Sequence, residues 1–182
     1  MDNNVENLRK TKYFGNIELS FDNSPEFENG WATFHAKLDG QIITVHIEDY
    51  NIWGDKLKLC WDFIDKYLEI NEIAKNAIIK YFPEENCEVN NYFKYFYENK
   101  IKKYGKDKII EVFEVNDFKK LDIKTLIGKI NYPGLSFNLE DGMITIYVEY
   151  TLLETFSDDD VSLYVLLDEE LKIKDFEIQY ES

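Results

Sequence analysis

The chain is poor in residues that staple, break or catalyse. Its 182 residues include two cysteines, three prolines, eight glycines and two histidines. The cysteines, Cys60 and Cys87, form no Cys-x-x-Cys pair and share no ligand spacing with a histidine. That excludes a disulfide framework and a zinc knuckle, and both read as buried free thiols. Scarce glycine and proline, with no low-complexity stretch, leave little disorder beyond a polar opening over residues 1–11. Long apolar runs are also missing. Nothing reaches the ~20 apolar residues of a membrane span. The opening MDNNVENLRK lacks the apolar run of a signal peptide, so the expected compartment is the cytoplasm.

Positive charge is the other scarcity. Lysine and arginine number 21 against 36 aspartates and glutamates, a formal charge of −15. Nucleic-acid backbones and anionic membranes are repelled by such a chain, whereas basic proteins are drawn to it. The catalytic signatures are absent as well. There is no Gly-x-Ser-x-Gly elbow, no phosphate-binding Gly-x-x-x-x-Gly-Lys-[Ser/Thr] and no Gly-x-Gly-x-x-Gly. Cys60 lies beside Trp61 on an apolar helical stretch, where burial would raise its pKa and quench it as a nucleophile.

Apolar and aromatic residues are plentiful, at 45% and 16% of the chain. A chain of this length buries roughly 70% of its unfolded surface, so residues 1–182 suit a single domain. KYFGNIEL reads as a short strand with a bulge or close approach at Gly15. FDNSPEFENG is a loop of turn formers. WATFHAKLDGQIITVHIEDY contains Asp39-Gly40, the dipeptide favoured in two-residue hairpins because both positions need positive φ. Pairing across it sets Leu38 against Gln41, Ala36 against Ile43 and Phe34 against Val45. One face then carries Ala32, Phe34, Ala36, Val45 and Ile47, while Trp31, Thr33, His35, His46 and Glu48 lie on the other.

Helical periodicity follows, with Leu57, Trp61, Ile64 and Leu68 on one side. Asn71 is expected to cap a second helix that ends at Pro83. A third is expected over 84–104 with its stop at Gly105, and a fourth from Asp107. After Ile123 the strand pattern returns. Asp141-Gly142 sets Leu139 against Ile144, Phe137 against Ile146 and Leu135 against Val148, all apolar and on one face. A third hairpin turns at 168–170. Its apolar parity shifts between Ile173 and Phe176, which predicts a bulge near Lys174-Asp175. LDGQIITVHIEDY and LEDGMITIYVEY echo each other, which raises a duplication with halves about 12–121 and 122–182. The fold class expected is α+β: antiparallel hairpins from both chain ends, in one sheet or two, on three to four central helices.

Three features bear on chemistry. His35, His46 and Glu48 share the polar face of the first hairpin and would hold zinc with an open position; ordinary residues on a sheet face is the competing account. Asp158, Asp159 and Asp160 lack calcium-loop spacing and read as a solvated loop. Together with Asp168, Glu169 and Glu170 they belong to an acidic C-terminal segment. From Leu139 onward there are thirteen acidic residues and two lysines, while residues 90–120 hold eight lysines and five acids. The aromatic run NYFKYFYENKIKKY resembles a base-stacking platform, but its spacing and the chain's charge favour core rings with snorkelling lysines.

The ending carries a resemblance. Phe156-Ser157-Asp158, Leu163-Tyr164-Val165, Asp168, the Ile173 to Ile178 strand and Glu181-Ser182 resemble the close of the uncharacterised bacterial domain-of-unknown-function family numbered two thousand and four. YFGNIEL and the hairpin after Trp31 resemble its opening. The likeness covers the two ends and not the helices. Phe156 stands where the family has Trp and Tyr180 where it has His, which argues against a shared catalytic imidazole. The family implies no established activity; small acidic α+β proteins of this kind resemble bacterial immunity proteins. The expected function is a non-catalytic binding protein, immunity- or antitoxin-like, needing no cofactor and docking a basic protein through its C-terminal strands. The alternative is a small metal-dependent enzyme using His35, His46 and Glu48.

Overall fold

The computed structural model describes residues 8–22, 30–128, 133–152 and 161–180. The chain opens with β1 (Leu8–Thr11) and β2 (Gly15–Glu18), which pair antiparallel across a turn closed at Gly15, φ +68°. Two sequence expectations change here. Leu8–Thr11 is a paired strand rather than a polar fray, and Gly15 ends a turn rather than making a bulge. Leu19 and Ile17 are buried, so this hairpin is held by its own apolar side.

β3 (Ser20–Asp22), β4 (Trp31–Leu38) and β5 (Gln41–Glu48) follow as an antiparallel run. Asp39 and Gly40 sit at φ +50° and +85°, as a two-residue turn requires, and the register is the one the turn dictates, Leu38↔Gln41 through Trp31↔Glu48.

Five helices then cross to the second strand set. They are α1 (Leu57–Ile64), α2 (Tyr67–Tyr81), α3 (Glu88–Tyr104), α4 (Lys106–Phe113) and α5 (Ile123–Ile127). The expected run from Leu57 to Leu68 is interrupted at Asp65–Lys66. There the backbone tightens, with Lys66 N–H donating to Phe63 O, and Asp65 Oδ1 accepts from the Lys12 amide at 2.6 Å. Asn71 is not a cap. It lies one turn inside α2, is 2% exposed, and accepts the Tyr150 hydroxyl on Oδ1 at 2.8 Å. The third helix starts later than expected, because Cys87 Sγ accepts from the Asn90 amide and makes Cys87 the cap. Gly105 ends it at φ +83°. α5 was not expected; Asp122 Oδ1 accepts from the Lys124 amide and Oδ2 from the Thr125 hydroxyl.

β6 (Gly134–Glu140), β7 (Met143–Thr151), β8 (Val161–Leu167) and β9 (Ile173–Tyr180) complete the chain as antiparallel neighbours. Seven strands form one sheet in the order β3-β4-β5-β6-β7-β8-β9, and the two strand sets join through the parallel pair β5–β6. The third hairpin has its bulge where the parity shift placed it: Leu166 faces Asp175 and Leu167 faces Ile173, leaving Lys174 as the extra residue.

The two Asp-Gly hairpins echo each other in sequence but differ by one residue in phase. Leu38 enters its turn facing inward, whereas Glu140 enters the second facing outward. Because β5 and β6 are parallel, the second hairpin runs in the reverse sense yet buries the same face. No rotation within the sheet superposes the two hairpins with both core faces together.

The core lies between that face and the helices. Phe34, Val45, Ile47, Leu135, Phe137, Ile146, Val148, Leu163 and Val165 meet Trp61, Phe63, Ile64, Ile70, Phe93 and Phe96, all buried. Three tyrosines tie the layers by their hydroxyls: Tyr67 donates to Pro133 O at 2.7 Å, Tyr92 to Tyr150 O at 3.3 Å, and Tyr150 to Asn71. Each buried hydroxyl thereby has an acceptor.

Candidate functional site: the sheet face opposite the helices

The contacts from α1, α2 and α3 to the strands reach Phe34, Phe137, Tyr150, Phe176 and Tyr180, all on one side of the sheet. Side chains alternate along each strand, so the other side is set by register. One row across it reads Thr33, His46, Ser136, Tyr147, Leu166, Asp175. The next reads Gly134, Glu149, Tyr164, Glu177.

Five carboxylates stand on this face along β5–β9, Glu48, Glu140, Glu149, Asp175 and Glu177, with Asp22 a sixth on β3, against Lys37 and Lys174. Lys174 Nζ donates to Thr145 Oγ1 at 2.8 Å. Among the described residues no ion pair involves any of the five acids. The electrostatics follow. Burial, then repulsion from Asp49 and Glu140, holds the Glu48 carboxyl above its ordinary range. Burial raises the Tyr147 phenol, and Glu177, Glu140 and Glu48 raise it further. Negative charge therefore gathers around Tyr147.

Aromatic and apolar side chains interleave with these acids. Tyr147 and Tyr164 meet edge to face with ring centroids 6.2 Å apart. Met143 is 62% exposed at one end of the face and Ile42 66% exposed at the other. Trp31 lies against His46, its indole N–H donating to Thr33 Oγ1 at 2.8 Å and to His46 Nδ1 at 2.9 Å. Gly134 is a residue that sequence reasoning passed over. A Cβ there would stand 3.2 Å from Glu149 Oε2 and 3.3 Å from Thr44 O, so glycine lets Glu149 lie over β6. The other oxygen of Glu149 accepts from Ser162 Oγ at 2.6 Å.

The residues singled out from sequence fall as follows. His35 and His46 share the face, and His35 Nδ1 meets Thr44 Oγ1 at 3.0 Å. His46 Nδ1 is occupied by Trp31 and Thr33. Burial lowers the His46 pKa, with Glu149 pulling the other way and His35 adding to the drop. Among the described residues no group of three or more His, Cys, Asp or Glu is placed to hold a metal ion, so His35, His46 and Glu48 are not gathered into a centre. Asp168, Glu169 and Glu170, in the β8–β9 turn, already have partners within the chain. Asp168 Oδ1 accepts from the Glu170 and Lys172 amides at 2.9 Å. Glu169 Oε1 accepts from Lys56 Nζ at 2.7 Å and the Ile144 amide at 2.8 Å. Glu170 pairs with Lys172. Asp158, Asp159 and Asp160 lie outside the described residues.

Cys60 is fully buried and its thiol is pushed far up, so it is inert. A groove of about 1120 Å³ opens between α2, α3 and residues 116–124, with Phe82, Tyr97 and Phe118 on its apolar side. Its three lysines stand among four acids, so it selects no ligand charge. Asp117 and Asp122 there cap helical turns. No described helix is long and apolar enough to cross a membrane. No family model matches the chain, and neither a curated protein nor a solved structure does.

Proposed function

We propose that the protein is a non-catalytic acidic binding protein of bacterial type, immunity- or antitoxin-like, which docks a basic protein partner in the cytoplasm through its C-terminal strands. One observation carries the reading: five carboxylates and two tyrosines share the β5–β9 face, where Lys174 donates a hydrogen bond to Thr145. Like charges held together, with Glu48, Glu149 and Glu177 half-buried, are relieved by a partner's cations. The acids of the β8–β9 turn are internally satisfied, so the docking surface is centred on β6–β9 and the end of β5. The likeness of the chain's ending to the uncharacterised bacterial family points to the same genre.

A partner captured from the source bacterium at low salt, then purified, provides the test. Its isoelectric point should lie well above neutrality. Binding should weaken steeply as salt is raised from ~0.15 M, where the screening length is ~8 Å, toward ~1 M, where it is ~3 Å. Absence of any partner at low salt, or binding indifferent to salt, contradicts the proposal.

A further inference from the structure

We propose that the Tyr147–Tyr164 pair and its flanking carboxylates form a seat for one arginine side chain of an extended basic segment lying across β6–β9. The inference rests on the docking reading above and names the group that reading requires. Tyr164 is flanked in its row by Glu149 on β7 and Glu177 on β9. Tyr147 is its diagonal neighbour, and the two rings meet edge to face, 78° between planes. Such a pair presents one ring face beside the edge of another, with a carboxylate on either side of Tyr164 about one strand spacing, ~4.8 Å, away.

A guanidinium fits this arrangement better than an ammonium. It is planar, so it stacks on a tyrosine face while its N–H fork reaches a carboxylate. Glu177 is the outer arm of that fork: it lies on the last strand in the sheet order, and among the described residues its side chain accepts a hydrogen bond from Gln179 Nε2 at 3.5 Å. Glu149 is held by Ser162 on one oxygen, which fixes its direction. Exposed Met143, paired with Glu140 beside the β6–β7 turn, supplies apolar surface for the neighbouring part of the segment. The occupant is committed by charge: among the described residues the acids of this face outnumber its lysines, which are Lys37 at the far end beside Ile42 and Lys174 hydrogen-bonded to Thr145.

The probes are three short peptides of one length: arginine-rich, lysine-rich, and the arginine peptide with each arginine replaced by neutral citrulline. Fluorescence anisotropy at low salt gives their Kd for the full chain. The wild type should bind the arginine peptide more tightly than the lysine peptide and should not bind the citrulline peptide. Tyr147→Ala and Glu177→Gln should each weaken the arginine peptide about tenfold. Glu169→Gln with Glu170→Gln, in the β8–β9 turn, should leave it unchanged. Glu177→Gln keeps shape and hydrogen bonding, so it reports even where Tyr147→Ala is unstable by circular dichroism. If the basic peptides bind but Glu177→Gln has no effect, or the turn variant weakens binding as much, the seat is wrong and the docking reading stands. If neither basic peptide binds the wild type, both fall.

Discussion

At the residue scale, the described interior satisfies its polar groups through long-range partners. The Tyr150 hydroxyl bridges β7 to the Asn71 side chain inside α2. Tyr150→Phe leaves the buried Asn71 oxygen without its donor, and urea denaturation should show a loss of about 1–3 kcal/mol. The half-buried charges on the opposite sheet face act in two directions with pH. Glu48 has its folded pKa raised, so the folded protein holds this proton more tightly than the unfolded chain. Its stability contribution is present at acid pH and lost as pH rises through the folded value. Glu48→Gln should therefore raise Tm at pH 7, and the gain should vanish below the ordinary carboxylate range, where both side chains are neutral. His46 has its folded pKa lowered from 6.5. Both states are neutral at higher pH, and as pH falls through 6.5 the unfolded chain takes the proton first, so stability drops. An NMR titration should place the His46 imidazole below the ordinary histidine value; a value at or above it contradicts the burial described.

At the element scale, the hairpins were legible in sequence and the helix boundaries were not, and the reasons are physical. A two-residue Asp-Gly turn demands positive φ at both positions and so pins register by itself; Leu38↔Gln41 and Glu140↔Met143 follow without knowledge of the rest. Gly40→Ala should accordingly cost about 1–2 kcal/mol, measured by thermal unfolding, since its φ is +85°. The bulge was legible because a parity shift has few solutions. Deleting Lys174 leaves Ile173 inward and Asp175 outward on a regular strand, so a folded protein with Tm lowered by only about 2–4 °C is expected. The break at Asp65–Lys66 coincides with a bond from Lys12, far away in sequence. The cap at Cys87 uses a thiol where oxygen is the usual cap atom, whereas Asp122 was a readable cap that periodicity alone missed. The rows around Tyr147 and Tyr164 needed the strand order β6-β7-β8-β9, which local pattern does not contain.

At the scale of the whole molecule, one sheet divides two environments. Helices and apolar side chains fill one side, and the other gathers carboxylates among tyrosines with little cation to balance them. Part of the chain's net charge of −15 lies on that second side. That both His35 and His46 share this face was legible from the first hairpin; that His46 is engaged by Trp31 and Thr33 was not. The most direct test of the account is the association rate of the purified basic partner with the wild type and with a Glu140→Lys, Glu177→Lys double variant, measured by stopped flow across a salt series. The account predicts that charge reversal lowers the association rate at low salt by at least about tenfold and flattens its salt dependence. An unchanged rate with an unchanged salt slope would contradict it.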